Sequence, residues 1–179
     1  DIGVSCFSIL TDEKYFNGSL NDLINLRKNT KSPILRKEFI VDEYQVYEAF
    51  ISGADCILII LSMIDLDLAK RIENVAISLG LDAIIEVHNE KEINDAIKFN
   101  SNLIGINNRN LKDFTVDINN AIRLANSIET DKILISESGI NSKNDINQTI
   151  TNSNIRSFLI GESLMRSKDI KAKFNNLIN

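Results

Sequence analysis

Apolar residues along this chain follow two alternating rhythms. Short runs rich in β-branched residues predict strands over Val4 to Leu10, Ile34 to Lys37, Cys56 to Leu61 and Asp82 to Val87, and again over Leu103 to Asn107, Lys132 to Ser136 and Arg156 to Ile160. Between them lie longer stretches whose apolar residues recur at helical spacing. Ser19 is placed as an N-cap before a helix with Leu20, Leu23, Ile24 and Leu26 on one face. Further helices are predicted from Asp42 to Ser52, from Asp65 to Leu79 and from Asn89 to Phe99. The first of these stops at Gly53, and the second turns Leu66, Ala69, Ile72, Ala76 and Leu79 inward and stops at Gly80. Glu92, Asp95 and Lys98 mark the wet face of the third. Ile118 to Ile128, Lys143 to Thr151 and Lys168 to Ile178 complete the set, and Thr11 to Gly18 reads as a polar loop carrying Tyr15 and Phe16.

A strand centre every 20 to 30 residues or so is the length of one βα unit, and near-continuous apolar strands indicate a parallel sheet covered on both faces. The class is therefore α/β. No glycine-rich phosphate loop follows the first strand, and polar residues recur after nearly every strand, which favours a (β/α)8 TIM barrel over an open doubly wound sheet. The residues before Val4 are too few for another strand. The chain is expected to form one incomplete barrel domain over residues 1–179, supplying strands two to eight with their helices. Such a sheet would have two exposed edges, which invite self-association.

Composition narrows the functional classes. With 44% hydrophobic and 25% charged residues among 179, the chain can bury a sizeable core, and its net charge of -5 argues against a broadly basic nucleic-acid-binding face. The apolar run from Cys56 to Leu61 is far too short to span a bilayer, so no membrane partner is expected. Cys6 and Cys56 each sit in an apolar run without a metal-type spacing partner. They read as reduced core thiols of a cytoplasmic protein, and no metal site is expected.

The densest chemical signal is Pro33 to Phe39, Pro-Ile-Leu-Arg-Lys-Glu-Phe, where charge crowds into an apolar run. In a strand, Leu35 and Lys37 share one face and Ile34 and Arg36 the other, so a face must accommodate a cation. Active sites of barrels lie at the C-terminal ends of the strands. Those ends here are Lys37, Glu86, Asn107 with Arg109 just beyond, Ser136 to Gly139, and Gly161 to Ser163. A lysine, a carboxylate, an amide and an arginine can bind an anionic substrate and move protons in it. The glycines after the last two strands let backbone N–H groups approach an anion, a phosphate above all.

Motifs spread along the chain carry a family resemblance. They are Ser8 to Ser19 (SILTDEKYFNGS), Pro33 to Asp42 (PILRKEFIVD), Gly53 to Asp55 (GAD), Glu86 to Asn89 (EVHN), Ile104 to Leu111 (IGINNRNL), Ser136 to Ile140 (SESGI) and Gly161 to Arg166 (GESLMR). In this set and order the chain resembles indole-3-glycerol phosphate synthase, of the ribulose-phosphate-binding barrels. The resemblance implies closure of an indole ring from 1-(2-carboxyphenylamino)-1-deoxyribulose 5-phosphate, with loss of CO2 and water and with no cofactor. By it, Lys37 is the general acid, Glu86 assists proton transfer, and Asn107 and Arg109 orient the substrate. Phe16, Phe39 and Leu58 form the apolar pocket for the aromatic ring, and Ser138, Gly139, Gly161 and Glu162 cradle the phosphate.

Glu162 is expected to offer only its backbone N–H there, because its carboxylate would repel the ligand. His88, two positions beyond Glu86, is expected at the rim and outside the chemistry. The family's leading extension, and its first strand with a glutamate and a lysine, have no counterpart before Val4. The sequence is thus read as a fragment of a longer enzyme, or a shortened protein, that turns over poorly alone. Two other readings stand beside this one. One is a non-catalytic phosphate-binding barrel. The other is the sister isomerase acting on the phosphoribosyl amine, which needs a cysteine and an aspartate.

Overall fold

The computed structural model of the chain describes residues 3–111 and 113–178. They divide into two compact units, one of Gly3–Glu86 with Phe99–Asn102, the other of Val87–Lys98 with residues 103–178. The first unit runs β1 (Phe7–Leu10), α1 (Glu13–Phe16), α2 (Leu20–Asn29), β2 (Ile34–Lys37), α3 (Tyr44–Ile51), β3 (Cys56–Ile60), α4 (Leu66–Ser78) and β4 (Asp82–Val87). Its strands lie in chain order, and all three neighbouring pairs are parallel. Ile57, Leu58, Ile59 and Ile60 are all buried, because β3 is covered on both faces.

Register decides which side chains share a face. Leu35 lies opposite Cys56, and Ile60 opposite Glu86, so Leu35, Lys37, Leu58, Ile60 and Glu86 project from one side of these strands. Ile34 and Arg36 project from the other side, where α3 packs. There the Arg36 guanidinium donates to the Gln45 carbonyl oxygen at 2.7 Å and meets the Glu48 carboxylate at 3.3 Å. Both faces of β2 therefore take a cation.

The opposite end of the strands is tied by Asp55, which precedes β3. One of its carboxylate oxygens accepts the Ile34 N–H at 2.7 Å and the Arg27 guanidinium at 2.9 Å, and Arg27 also donates to the Ser32 carbonyl oxygen. Gly53 is required beside this tie. Its φ is +88°, and a Cβ there would lie 2.7 Å from Arg27 Cγ.

The second unit runs α5 (Glu90–Ala96), β5 (Leu103–Asn107), α6 (Asn119–Ala125), β6 (Ile133–Glu137), α7 (Lys143–Asn152), β7 (Ser157–Leu159), α8 (Glu162–Met165) and α9 (Ile170–Ile178). Its strands again lie in chain order, parallel, with Asn107 opposite Glu137 and Glu137 opposite Leu159. Helix starts are fixed by side chains, at Ser19 as the sequence suggests. Ser19, Asp65, Asn89 and Ser142 each accept the backbone N–H three residues on, and Asp145 completes a capping box with Ser142. This alternation of parallel strands and helices is the α/β class read from the sequence.

Several expectations need correction. The first strand begins at Phe7, and Cys6 before it is exposed instead of a core thiol, while Cys56 is half-buried. A short helix, α1, occupies the loop predicted over Thr11 to Gly18, and another, α8, follows β7. On α4, Leu66 is exposed, whereas Glu73 is buried because its carboxylate accepts the Ser101 N–H at 2.7 Å. On α5, Glu92 is half-buried and not on a wet face.

Removing the Asp55 carboxylate leaves the Ile34 N–H without this acceptor and costs the Arg27 guanidinium one of its two. Asp55→Ala is expected to lower stability by about 1 to 3 kcal/mol in equilibrium urea unfolding, with m unchanged. An unshifted midpoint would show that the tie contributes nothing.

Candidate active site

Residues singled out from the sequence gather into two groups, one in each unit. In the first unit, Lys37 at the end of β2 reaches past β3, so that its Nζ lies 3.4 Å from Glu86 Oε2. The pair is asymmetric in exposure. The Glu86 side chain is 2% exposed and that of Lys37 is 23% exposed, so the carboxylate is enclosed while the lysine side chain is partly exposed. Leu58, on the same face, is buried.

Aromatic rings stand at the same strand ends. The Phe39 ring meets Phe16 at 5.8 Å between centroids and Tyr15 edge-on at 6.0 Å. Tyr15 and Phe16 are both largely exposed, carried on α1, so these rings offer apolar surface to solvent. The loop behind them is closed tightly. The Gly18 N–H donates to the Asp12 carbonyl oxygen, and a Cβ at Gly18 would fall 2.1 Å from the Leu10 carbonyl oxygen. Phe16, Phe39, Lys37, Glu86 and Leu58 are thus the predicted residues of the first unit.

In the second unit the predicted residues are Asn107, Arg109, Ser138, Gly139, Gly161 and Glu162. Asn107 ends β5 buried, and its side-chain oxygen accepts the Arg109 N–H at 2.9 Å. The Arg109 guanidinium pairs with Glu162 at 2.6 Å, and the other oxygen of Glu162 pairs with Arg166 at 2.8 Å. The Glu162 side chain is thereby turned to cations, leaving its N–H at the start of α8. Ser163 Oγ donates to the Ile140 carbonyl oxygen at 2.8 Å, which joins the turn after β7 to the turn after β6.

The turn after β6 has unusual backbone. Ser138 and Gly139 both have positive φ, +65° and +84°. A Cβ at Gly139 would lie 2.7 Å from Val116 and 3.0 Å from Ile118 side-chain carbons, so both space and φ call for glycine. Asn108 holds this turn. Its amide nitrogen donates to Ser136 Oγ and to the Ser138 carbonyl oxygen, both at 3.0 Å, and its oxygen accepts the Ala121 N–H at 2.9 Å.

Two polar residues were passed over in the sequence. Asn108 is one, hidden behind Asn107 in the Asn-Asn pair. Glu137 is the other, a carboxylate 1% exposed at the end of β6. Its signal was available, since a charge closing an apolar run is the same pattern that marked Lys37 and Glu86.

His88 is taken up by helix capping. The Glu92 carboxylate accepts the His88 N–H at 2.8 Å and faces its Nδ1 at 3.3 Å. Burial alone would raise the Glu92 carboxyl, but hydrogen bonds from the His88 ring and backbone, the His88 charge and the Asn89 amide together hold it below its usual 4.5. The Cys56 thiol is pushed far up, first by burial and then by Asp82 and Cys6, so it is no ready nucleophile. Among the described residues no group of three or more histidine, cysteine, aspartate or glutamate side chains is arranged to hold a metal ion. No helix among them is long and apolar enough to cross a membrane.

A family model for indole-3-glycerol phosphate synthase matches residues 1–177. The chain belongs to that family. Similar proteins named indole-3-glycerol phosphate synthase include one from Polaromonas sp., 42% identical over 93% of this chain and 63% of its own length. Another, from Azospirillum brasilense, is 43% identical over 98% of this chain and 67% of its own length. The chain thus spans somewhat under two thirds of the Polaromonas relative. Among solved structures, N-(5'-phosphoribosyl)anthranilate isomerase from Pyrococcus furiosus is similar with a TM-score of 0.72, over 97% of this chain and 86% of its own. Thiamine phosphate pyrophosphorylase from the same organism reaches 0.70, over 98% and 82%. At 11% and 13% identity these likenesses show the fold alone, the TIM-barrel type expected of this synthase family.

Substituting Gly139 tests the turn. Gly139→Ala is expected to cost roughly 1 to 3 kcal/mol from forced positive φ and overpacking against Val116 and Ile118, read as a lowered melting temperature. A melting temperature equal to the parent's would mean that the turn has room to relax.

Glu92 gives a pH dependence. Because its folded carboxyl lies below 4.5, its contribution is present above that pH and is lost as pH falls through the folded value. Glu92→Gln should therefore be less stable than the parent near neutrality, with the gap closing in thermal melts taken at successively lower pH below about 4.5. A gap that stays constant or widens on acidification would contradict this assignment.

Proposed function

We propose that this chain carries ring-closing chemistry, turning 1-(2-carboxyphenylamino)-1-deoxyribulose 5-phosphate into indole-3-glycerol phosphate, CO2 and water. The observation that carries the reading is Lys37 Nζ set 3.4 Å from the enclosed Glu86 carboxylate. Family membership supplies the substrate.

In this reading the Lys37 ammonium protonates the carbonyl oxygen of the substrate as the ring carbon bearing the carboxylate attacks the carbonyl carbon. The new carbon–carbon bond forms, and the carbonyl becomes a hydroxyl. CO2 then leaves, its bonding electrons restoring the aromatic ring, and loss of the hydroxyl together with a proton from the adjacent carbon bonded to nitrogen, as water, gives the indole. Glu86 aims the ammonium and takes part in the proton transfers. Phe16, Phe39 and Leu58 receive the aromatic ring.

Asn107 and Arg109 orient the substrate's polar groups. The guanidinium has five N–H donors, so a substrate anion can share it with Glu162. The backbone N–H groups of Ser138, Gly139, Gly161 and Glu162 take the phosphate. A non-catalytic phosphate-binding barrel gains nothing from an enclosed carboxylate beside a lysine. The isomerase reading is weakened by Cys6, which is exposed ahead of β1.

The test is ring closure followed by indole fluorescence, on the chain and on the chain joined to the part of the Polaromonas relative that it does not span. Lys37→Ala should lower kcat by about 100-fold to 10,000-fold with the fold intact by circular dichroism. Turnover that survives this substitution would remove Lys37 from the role of acid. Phosphate-ligand binding without any ring closure in the joined protein would favour the binding barrel.

A further inference from the structure

Thr11, Arg36 and Glu38 form a polar cluster that the ring-closing chemistry does not use. Thr11 is 5% exposed, Arg36 3%, and the Glu38 side chain 9%. Thr11 Oγ1 donates to Glu38 Oε2 at 2.6 Å and accepts from Arg36 Nε at 3.2 Å, and the Arg36 guanidinium lies 3.8 Å from the same carboxylate oxygen. Arg36 points to the α3 side of β2, away from Lys37, so the cluster does not stand on the Lys37 face.

What the cluster grips is Phe39. The second Glu38 oxygen accepts the Phe39 N–H at 2.9 Å, and the Gln45 amide donates to the Phe39 carbonyl oxygen at 3.1 Å. Gln45 is itself fixed, because its side-chain oxygen accepts the Val41 and Asp42 N–H groups and its carbonyl oxygen accepts from Arg36. Both backbone polar groups of Phe39 are thus held by side chains of one network. The Thr11 N–H meanwhile donates to the Lys37 carbonyl oxygen at 3.2 Å, which fastens the start of the loop bearing Tyr15 and Phe16 to the end of β2.

We infer that the Thr11–Arg36–Glu38 cluster is a positioning device that sets the Phe39 ring against Tyr15 and Phe16 and so selects substrates carrying an aromatic ring. The inference rests on the proposed ring pocket. Thr11 is the joint of the device, since one hydroxyl serves as donor to the carboxylate and acceptor from the guanidinium. Thr11→Val keeps shape and removes both bonds. Thr11→Ser keeps both bonds and loses a methyl group.

The experiment titrates two probes into the chain. One is the substrate with its carbonyl reduced to an alcohol, which keeps the fluorescent carboxyphenylamino ring and cannot cyclise. The other is ribulose 5-phosphate, which has no ring. Thr11→Val is expected to weaken the ring-bearing probe about ten-fold, the scale of one lost hydrogen bond to a charged group, and to leave ribulose 5-phosphate unchanged. Thr11→Ser should bind both like the parent. In turnover, KM should rise more than kcat falls.

Equal weakening of both probes, no change in either, or failure of Thr11→Ser to restore binding would overturn the inference. If Thr11→Val does not fold, Gln45→Glu removes the donor to the Phe39 carbonyl and is read by the same criteria. Ring closure by the parent with Thr11→Val indistinguishable from it sinks the device and keeps the proposed function. Ring-selective weakening in a parent that closes no ring does the reverse. A parent that binds neither probe sinks both.

Discussion

Two adjacent cations on a buried strand constrain the first unit. Arg36 and Lys37 follow one another on β2, so alternation sends them to opposite faces, and each must find negative charge on its own side. Arg36 meets Glu48 from α3 and Glu38 from its own chain neighbourhood. Lys37 meets Glu86 from β4. A slip of β2 by one residue would exchange the faces and leave both cations opposite the wrong partners, with Ile34 and Leu35 exchanged as well. The register that the apolar residues favour is therefore also the one the charges require, and Lys37 inherits its position from that agreement.

The second unit reaches comparable definition with neutral groups. Asn108 uses its amide nitrogen for Ser136 and Ser138 and its oxygen for Ala121, so one buried side chain joins β5, the turn after β6 and the start of α6. That support is what lets Ser138 and Gly139 stand consecutively at positive φ, a backbone that costs free energy unless its surroundings fix it. Ser163 then ties the next turn to Ile140. The proposed phosphate turns are thus braced by hydrogen bonds that a phosphate would not have to displace.

Much of this was legible in the sequence, for physical reasons that also explain the rest. The strands at Ile34–Lys37, Asp82–Val87 and Leu103–Asn107 have the predicted bounds because their apolar runs end abruptly in polar residues. The helix start at Ser19 was visible because a cap is a local, three-residue interaction. The short helices α1 and α8 were not, since one turn has no periodicity to read. The burial of Glu73 depends on the Ser101 N–H, 28 residues on, which no local pattern reports. Of the site, strand-end position picked out Lys37, Glu86 and Asn107. It could not show that Glu162 would be claimed by Arg109 and Arg166, or that Asn108 would carry the turn beside it.

Several ion pairs lie among the described residues, and they differ in which member is exposed. At Asp55 the carboxylate is 45% exposed and its partner Arg27 27%, and the same oxygen also serves a backbone N–H, an arrangement that fastens strands and has no reason to change during a reaction. At Arg36 the cation is 4% exposed and cannot reach a ligand. Lys37 and Glu86 reverse that pattern, with a 2% exposed anion behind a 23% exposed cation. In the proposed reading the enclosed carboxylate stands behind the lysine, and the more exposed member of the pair is the proton donor. The role proposed for Lys37 thus rests on which member of the pair is more exposed, a property that depends on register and burial and not on the identity of the two residues alone.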